Sequence, residues 1–547
     1  MRATLQQVLA PSNRTDSADR ACRFRGPVLS CAQRKKKGSP MLDSYQFKTA
    51  PFKHQREALE RSWDKEAFGL LMEQGTGKTK VIVDNAAHLY NLGRVNALLV
   101  IAPNGVHRNW CRKEVPAHLP DYIDRRTAWW SSQPNKAERQ AMEELWKPGQ
   151  ALRVFTVNIE AMQMDRCLKE VQKFCQLFDA MVVIDESHRI KTPNITTTKN
   201  VMKLRGLAKY RRILTGTPVA QSPLDVFSQF GFLDPYILPT QSFTAFRARY
   251  AEIMPQDHPL IAAIRRKTGK SYGPTMIATD AAGKPIYKNL DELKSVTAAH
   301  SFRVLKKDCL DLPPKVFVRK PVTMHEAQRK LYKKLADRVK NGLKEGEEFN
   351  TPINKLQAVL YFQQILSGII PKPMDVNGEG VIFKDHKQNP RIQALLDEVE
   401  GTGDQLIVWC RFTHDILAVT DALRSTYGHE STTCYYGEVS DDDRMEAEDG
   451  FQAGRHRFLV GNAAAGGTGL TLTAAAQSHY YSNSFKLLDR LQSEDRNHRI
   501  GQTAERVRYV DYEVEGSVDT KILQAFLNKK DVADAITGDD FSTWIQL

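Results

Sequence analysis

The sequence predicts an α/β protein, two parallel-sheet lobes in tandem with a largely helical insertion between them. Short apolar runs recur at 97–102, 153–157, 180–184 and 212–214, and again at 405–409, 456–460, 478–481 and 506–510. Several are nearly continuous in Val, Ile, Leu and Ala, as strands covered on both faces are. Helix-like text separates them, the rhythm of parallel strands joined by crossovers.

Residues 1–40 stand apart. They hold nine basic residues against Asp16 and Asp19 and end in Arg34-Lys35-Lys36-Lys37, just ahead of a second methionine at Met41. A basic disordered arm, an over-extended start with Met41 the initiator, and a targeting signal each fit this text. Residues 41–235 form the first lobe. The stretch 236–390 reads as helical insertion and linker. It is rich in Pro, Gly, Lys and Asp over 251–300 and then places Leu331, Leu335, Val339 and Leu343 near a four-residue period. Residues 391–547 form the second lobe with a helical end.

The 547 residues carry Lys+Arg 78 against Asp+Glu 64, net +14, a mild basic excess that suits a polyanionic partner. The eight cysteines show no C-x-x-C spacing and no zinc set, so reduced thiols in a cytosolic-type compartment are expected. No apolar run reaches the roughly 18 residues of a membrane span, and residues 1–40 lack a secretory apolar core. A cytoplasmic location is expected, the host cytoplasm if the source is viral.

Three segments carry chemistry. Glu73-Gln74-Gly75-Thr76-Gly77-Lys78-Thr79 follows an apolar segment (Phe68–Met72) and opens a helix-like run. Glycines let N–H groups close around phosphate oxygens at a helix N-terminus. Gly75, Thr76 and Gly77 then cradle ATP, Lys78 reaches its phosphates and Thr79 ligates Mg²⁺. The run Met181-Val182-Val183-Ile184 ends in Asp185-Glu186. There Asp185 suits the metal and Glu186 the attacking water. Arg496 and Arg499, three apart on one helix face, suit arginine fingers delivered from the second lobe.

In this order the segments resemble the superfamily-two helicase core in its Swi/Snf-like form. Gln55 is similar to the adenine-reading glutamine upstream of the P-loop. Leu99-Val100-Ile101-Ala102-Pro103 with Asn109-Trp110, Asp185-Glu186-Ser187-His188-Arg189-Ile190-Lys191 and Leu214-Thr215-Gly216-Thr217-Pro218 look like successive motifs of the first lobe. Phe232-Leu233-Asp234-Pro235 and Arg303-Val304-Leu305-Lys306-Lys307-Asp308, then Leu312-Pro313-Pro314-Lys315, continue the pattern. Gly466-Gly467-Thr468-Gly469-Leu470 and His498-Arg499-Ile500-Gly501-Gln502 complete it. The sequence departs from the pattern at Ala220-Gln221, at Thr471 and at Phe485-Lys486-Leu487.

The resemblance implies two RecA-like lobes with ATP between them and a motor that translocates on double-stranded DNA, a bare core of bacterial or viral type. Gln492 and Gly469 join the site, and Thr215 and Thr217 couple it to the track. Asn109, Arg189, Lys191 and Arg411 are candidates for phosphate contacts. Trp110 and Trp409 fit either base stacking or core packing. A strand-separating DNA or RNA helicase and an ATP-driven loader of another protein share these motifs.

Overall fold

The computed structural model describes residues 45–528, apart from 220–221, 270, 273, 281–284, 346–351, 377 and 467–469. The basic segment 1–40 lies outside the described residues.

Two parallel sheets form, as expected. The first has strands β1 (Ala67–Met72), β2 (Ala97–Ala102), β3 (Arg125–Trp129), β4 (Leu152–Asn158), β5 (Ala180–Asp185), β6 (Tyr210–Leu214) and β7 (Ser301–Val304), in the order β3-β4-β2-β5-β6-β1-β7. The second has β8 (Lys315–Val322), β9 (Leu406–Cys410), β10 (Thr432–Tyr435), β11 (Phe458–Asn462), β12 (Gln477–Tyr480) and β13 (Val507–Val514), in the order β10-β11-β9-β12-β13-β8. Every strand pair in both sheets is parallel. Crossing connections therefore lie on the faces, and β2, β5 and β9 are buried along their whole length.

The stretch 236–390 is not one insertion outside the sheets. Its strand β7 pairs with β1 of the first lobe and its strand β8 with β13 of the second, so the lobes meet between Val304 and Lys315. Its helices divide in the same way. Phe246, Tyr250 and Leu293 pack into the first-lobe core. Tyr332, Leu335 and Val339, on the helix Glu326–Glu345, join Ala358, Phe362 and Ile365 in the second-lobe core. Leu331, Leu335 and Val339, at a four-residue period, form the stripe that makes this contact.

Parallel order sets the chemistry. In the first sheet β5, β6 and β1 are adjacent and parallel, so the turns after Asp185, Leu214 and Met72 emerge side by side at the carboxyl end of the sheet. The carboxyl ends of parallel strands are where α/β sheets bind ligands.

One buried group makes second-lobe stability depend on pH. His479 on β12 is almost fully enclosed, and a ring nitrogen lies 2.8 Å from the Tyr512 hydroxyl. Burial, helped by Arg508, pushes its pKa down to about 3. Above about pH 6.5 the ring is neutral whether folded or unfolded. Below that, the unfolded chain takes a proton that the folded chain refuses, so stability falls as pH drops toward 3. The slope is up to about 1.4 kcal/mol per pH unit. Denaturant unfolding at pH 7.5 and 5.5, compared with His479→Gln, should show the loss in the parent and a shallower loss in the variant.

Candidate active site

The turn after β1 and the helix Lys78–Asn91 form the phosphate-type loop. Gly75 and Gly77 take left-handed φ values of 81° and 84°, where a side chain is strained. Space adds to the demand, because a Cβ on Gly77 would stand 2.1 Å from Gln55 Nε2. Gln55 lies on the loop itself. Its Nε2 donates to the Thr76 carbonyl at 3.1 Å, and its Oε1 accepts from the Phe52 N–H at 3.0 Å. A ring nitrogen of His54 reaches the same Thr76 carbonyl at 2.8 Å. Lys78 Nζ donates to the Met72 carbonyl at 3.1 Å.

Asp185 ends β5. Its Oδ2 accepts from Trp110 Nε1 at 3.0 Å and its Oδ1 from the Glu186 N–H at 2.9 Å. Trp110 lies in a helix whose middle segment, Trp110–Glu114, is π-wound. Such local widening is common at functional sites. Trp110 and Trp409 are both enclosed in the protein, so core packing holds and base stacking is set aside for each. For Trp110 the packing also aims a carboxylate.

Glu186 has φ 49°, one of two non-glycine residues among those described with positive φ. Such strain persists where the surroundings over-determine the conformation. Here a hydrogen-bond chain does so. His188 Nδ1 stands 3.3 Å from Glu186 Oε2 and 3.4 Å from Thr215 Oγ1, which accepts from the Thr217 N–H at 3.1 Å. Ser187 Oγ donates to Gln229 Oε1 at 2.8 Å, and Gln229 Nε2 donates to the Pro218 carbonyl at 2.7 Å. The acidic turn and the 214–218 loop are thus tied twice, by His188 and by Gln229. Neither residue was assigned a role from sequence; only their distant partners reveal one.

The carboxyls of Asp185 and Glu186 share one buried corner. Burial and the neighbouring Glu186 charge raise Asp185 above the usual carboxylate range. Burial also acts to raise Glu186, but the His188 bond and the charges of Lys78, His188 and Arg496 outweigh it and hold Glu186 below that range. The pair accepts its first negative charge readily and its second reluctantly. This is the environment a hard divalent cation fits. Both Asp185 oxygens keep a lone pair beyond their one hydrogen bond, and Thr79 lines the same cavity.

The second lobe closes this corner. A cavity of about 410 Å³ is walled by Gln55, Gly75, Gly77, Lys78, Thr79, Asp185 and Glu186 from one side and by Thr471, Arg496 and Arg499 from the other. Arg496 Nη1 and Arg499 Nη1 both donate to the Leu470 carbonyl, at 3.1 and 3.0 Å. Arg496 Nε donates to the Gln492 carbonyl at 3.0 Å. The Gln492 carbonyl thus supports Arg496, and Gln492 itself is buried on the helix Leu487–Glu494 that precedes it. Gly469 lies outside the described residues.

Across the cleft Lys113 pairs with Glu448 at 3.1 Å and Asp449 at 2.8 Å, and Arg112 with Asp442 at 3.3 Å. These partly exposed pairs register the lobes more than they stabilise them.

The four residues expected at the nucleic acid have these surroundings in the structure. Asn109 lies in the wall of the 410 Å³ cavity. Arg189 pairs with Glu160 at 2.5 Å, and Lys191 lies 3.7 Å from Asp225. Arg411 stacks 3.6 Å from the Phe485 ring centroid and donates to Gln363 Oε1 at 2.6 Å.

Two parallel-sheet lobes that put a P-loop, an acidic pair and two arginines on one cavity define a helicase-like ATP hydrolase. The chain matches the SNF2-related domain over residues 54–372 and the helicase conserved C-terminal domain over residues 390–501. It belongs to the SNF2-related family. It is 23% identical over 497 residues to Protein CHROMATIN REMODELING 4 of Arabidopsis thaliana, covering 87% of this chain and 20% of that protein. It is 24% identical over 497 residues to an uncharacterized ATP-dependent helicase of Mycoplasma pneumoniae, covering 89% of this chain and 42% of that one. The chain therefore spans less than half the length of these relatives. Among solved structures, the Sulfolobus solfataricus SWI2/SNF2 ATPase core in complex with dsDNA is similar at 21% identity and a TM-score of 0.38, covering 92% of this chain and 96% of that chain.

The position of Lys78 makes a direct expectation. Lys78→Ala should abolish ATP turnover while retaining most nucleic-acid affinity, because Lys78 is a buried residue of the cavity wall and not of the outer surface. Steady-state phosphate release and a DNA-binding titration check the two halves separately.

Proposed function

We propose that the chain is a motor that hydrolyses ATP to ADP and phosphate between its lobes and translocates on double-stranded DNA. The single observation that carries this reading is the shared cavity, with Lys78, Asp185 and Glu186 on one wall and Arg496 and Arg499 on the other. Two of the similar proteins are named for chromatin remodelling and for DNA binding, and the net charge of +14 suits a polyanionic track.

Glu186 takes the proton of the attacking water as the water oxygen bonds to the γ-phosphorus. The bond from that phosphorus to the β,γ-bridging oxygen breaks, and Lys78, Arg496 and Arg499 stabilise the spreading negative charge. Asp185 and Thr79 would hold Mg²⁺, which supplies further charge neutralisation at the phosphates. A γ-phosphate gripped from both walls favours the closed cleft, and its loss removes that preference. His188 carries the change from Glu186 to Thr215 and Thr217. The track is held through its phosphates, since a motor must ignore sequence.

Among the described residues no helix is long and apolar enough to cross a membrane, and the six cysteines are free thiols. Free thiols fit the cytoplasm, which we take as the location.

Strand separation is the second reading, favoured by the similarity to a protein named a helicase. Steady-state ATPase with no nucleic acid, blunt duplex DNA, single-stranded DNA and RNA decides. Stimulation by the blunt duplex is expected. Stimulation confined to single strands would replace translocation on a duplex with strand separation.

A further inference from the structure

We propose that Lys306 is a positioning residue, a strut from the P-loop to the arginine-bearing turn that aligns Arg496 and Arg499 without touching ATP. The inference rests on the cleft reading above and extends it to a residue outside the cavity walls.

Lys306 follows β7, in the one segment that joins the two sheets. Its base moves with the P-loop. β7 pairs with β1 in register, Val304 beside Met72, and the Glu73 N–H donates to the Val304 carbonyl at 2.9 Å. The Lys306 N–H in turn donates to Glu73 Oε2 at 2.7 Å. Glu73, Val304 and the main chain of Lys306 are thus one rigid piece of the first lobe.

Its side chain leaves that piece for the second lobe. The ammonium donates to Asp495 Oδ1 at 2.6 Å and to the His498 carbonyl at 3.0 Å. These acceptors stand immediately before Arg496 and Arg499 in the chain. The stem also packs beneath the loop. A Cβ placed on Gly75 would stand 3.4 Å from Lys306 Cε and 3.1 Å from Arg499 Cβ. Gly75 therefore seats the strut and the arginine together. The Lys306 side chain is 9% exposed, so its bonds are shielded from water and sharply directional. Lys315, from β8, bonds Glu494 at 2.9 Å and lies 3.9 Å from Asp495, so the second lobe has its own cation for this carboxylate. Loss of Lys306 then leaves Asp495 a neighbouring charge and removes the link to the P-loop.

The strut acts through the arginines, which gives it a kinetic signature. Lys306→Met keeps the stem and drops the ammonium; Asp495→Ala removes the acceptor. Each should lower kcat, on the order of 10²-fold, because a small misplacement of charge-stabilising groups costs that much. KM for ATP should stay near the parent value, since Gln55 and Lys78 are untouched. The double variant should be no slower than the worse single one, because both cut one link. In the Arg499→Ala background, Lys306→Met should cost clearly less than in the parent, because only Arg496 is left to misplace. Steady-state ATPase with duplex DNA present and the affinity of a fluorescent ATP analogue report these outcomes. Parent kcat in both single variants, raised KM with unchanged kcat, or full additivity on Arg499→Ala would each overturn the strut. Should Lys306→Met fail to fold, Asp495→Ala decides alone. Arg499→Ala at the parent rate is a different result, and it would remove the cleft reading itself.

Discussion

Glu186→Gln should still bind ATP yet hydrolyse it on the order of 10²–10⁴-fold more slowly, the usual contribution of a general base. The amide has the shape of the carboxylate but cannot accept the proton of the attacking water. The site is arranged to keep Glu186 fixed in position and ionised. Its backbone is fixed at φ 49°, and its Oε2 stands 3.3 Å from His188 Nδ1. Its charge is held by His188, Lys78 and Arg496 against the burial that opposes it. The substitution removes one of two adjacent buried acids, so the protein should fold and bind nucleotide at least as well as the parent. With ATP bound and unspent, the closed cleft should persist and DNA should be retained more tightly than in the parent. Single-turnover hydrolysis and DNA retention in ATP measure the two effects. Parent-like single-turnover hydrolysis would show that another group takes the proton.

The strands legible in the sequence are those whose burial is two-sided. The runs at 97–102, 180–184 and 405–409 became β2, β5 and β9, each buried along its whole length. The unread strands β3, β7, β10 and β8 occupy the four edges of the two sheets. Edge strands are short or carry charge, which protects them from further pairing, and the same features hide them from hydropathy patterning. Arg125–Trp129 opens with two arginines, Ser301–Val304 and Thr432–Tyr435 have four residues each, and Lys315–Val322 is largely exposed and holds Pro321. The insertion looks like one body in the sequence because neither β7 nor β8 carries a two-sided apolar run.

At the site, legibility follows distance along the chain. Gly75, Lys78, Asp185 and Glu186 sit on local patterns with a direct chemical meaning. The roles of Trp110, His188, Gln229, Leu470 and Lys306 exist only through partners brought close by the fold. Trp110 reaches Asp185 across 75 residues and Lys306 reaches Asp495 across 189. No local pattern encodes such pairings. A surface arginine looks alike in sequence whether it meets a phosphate or pairs with a glutamate, as Arg189 does with Glu160.

The arginines test whether the cleft is one active site. Arg499→Ala should lower turnover on the order of 10³–10⁵-fold, the scale of a lost arginine finger. Arg499 is the nearer of the two to the loop, since its Cβ would stand 3.1 Å from a Cβ on Gly75. ATP binding should survive, because Gln55, Lys78 and the Asp185 carboxylate all belong to the first lobe. ATP-driven closure should weaken, and a distance probe across the lobes follows it. Arg496→Ala should slow hydrolysis as well and carry a second cost. Arg496 is more deeply buried, and its guanidinium satisfies the carbonyls of Gln492 and Leu470. In the variant Leu470 keeps its bond from Arg499, but the Gln492 carbonyl loses its guanidinium donor, and a buried acceptor left without a donor costs about 1–3 kcal/mol. Its charge also helps keep Glu186 ionised. Arg496→Ala should therefore lose second-lobe stability along with rate, while Arg499→Ala loses rate with less change in unfolding, because Arg499 is less buried and the carbonyl it bonds, Leu470, keeps its bond from Arg496. A surface helix whose charges only solvate it predicts neither pattern, with stability changes within about ±0.5 kcal/mol. Parent-like turnover by both variants with duplex DNA present would take the second lobe out of the chemistry and leave a single-lobe ATP-binding protein.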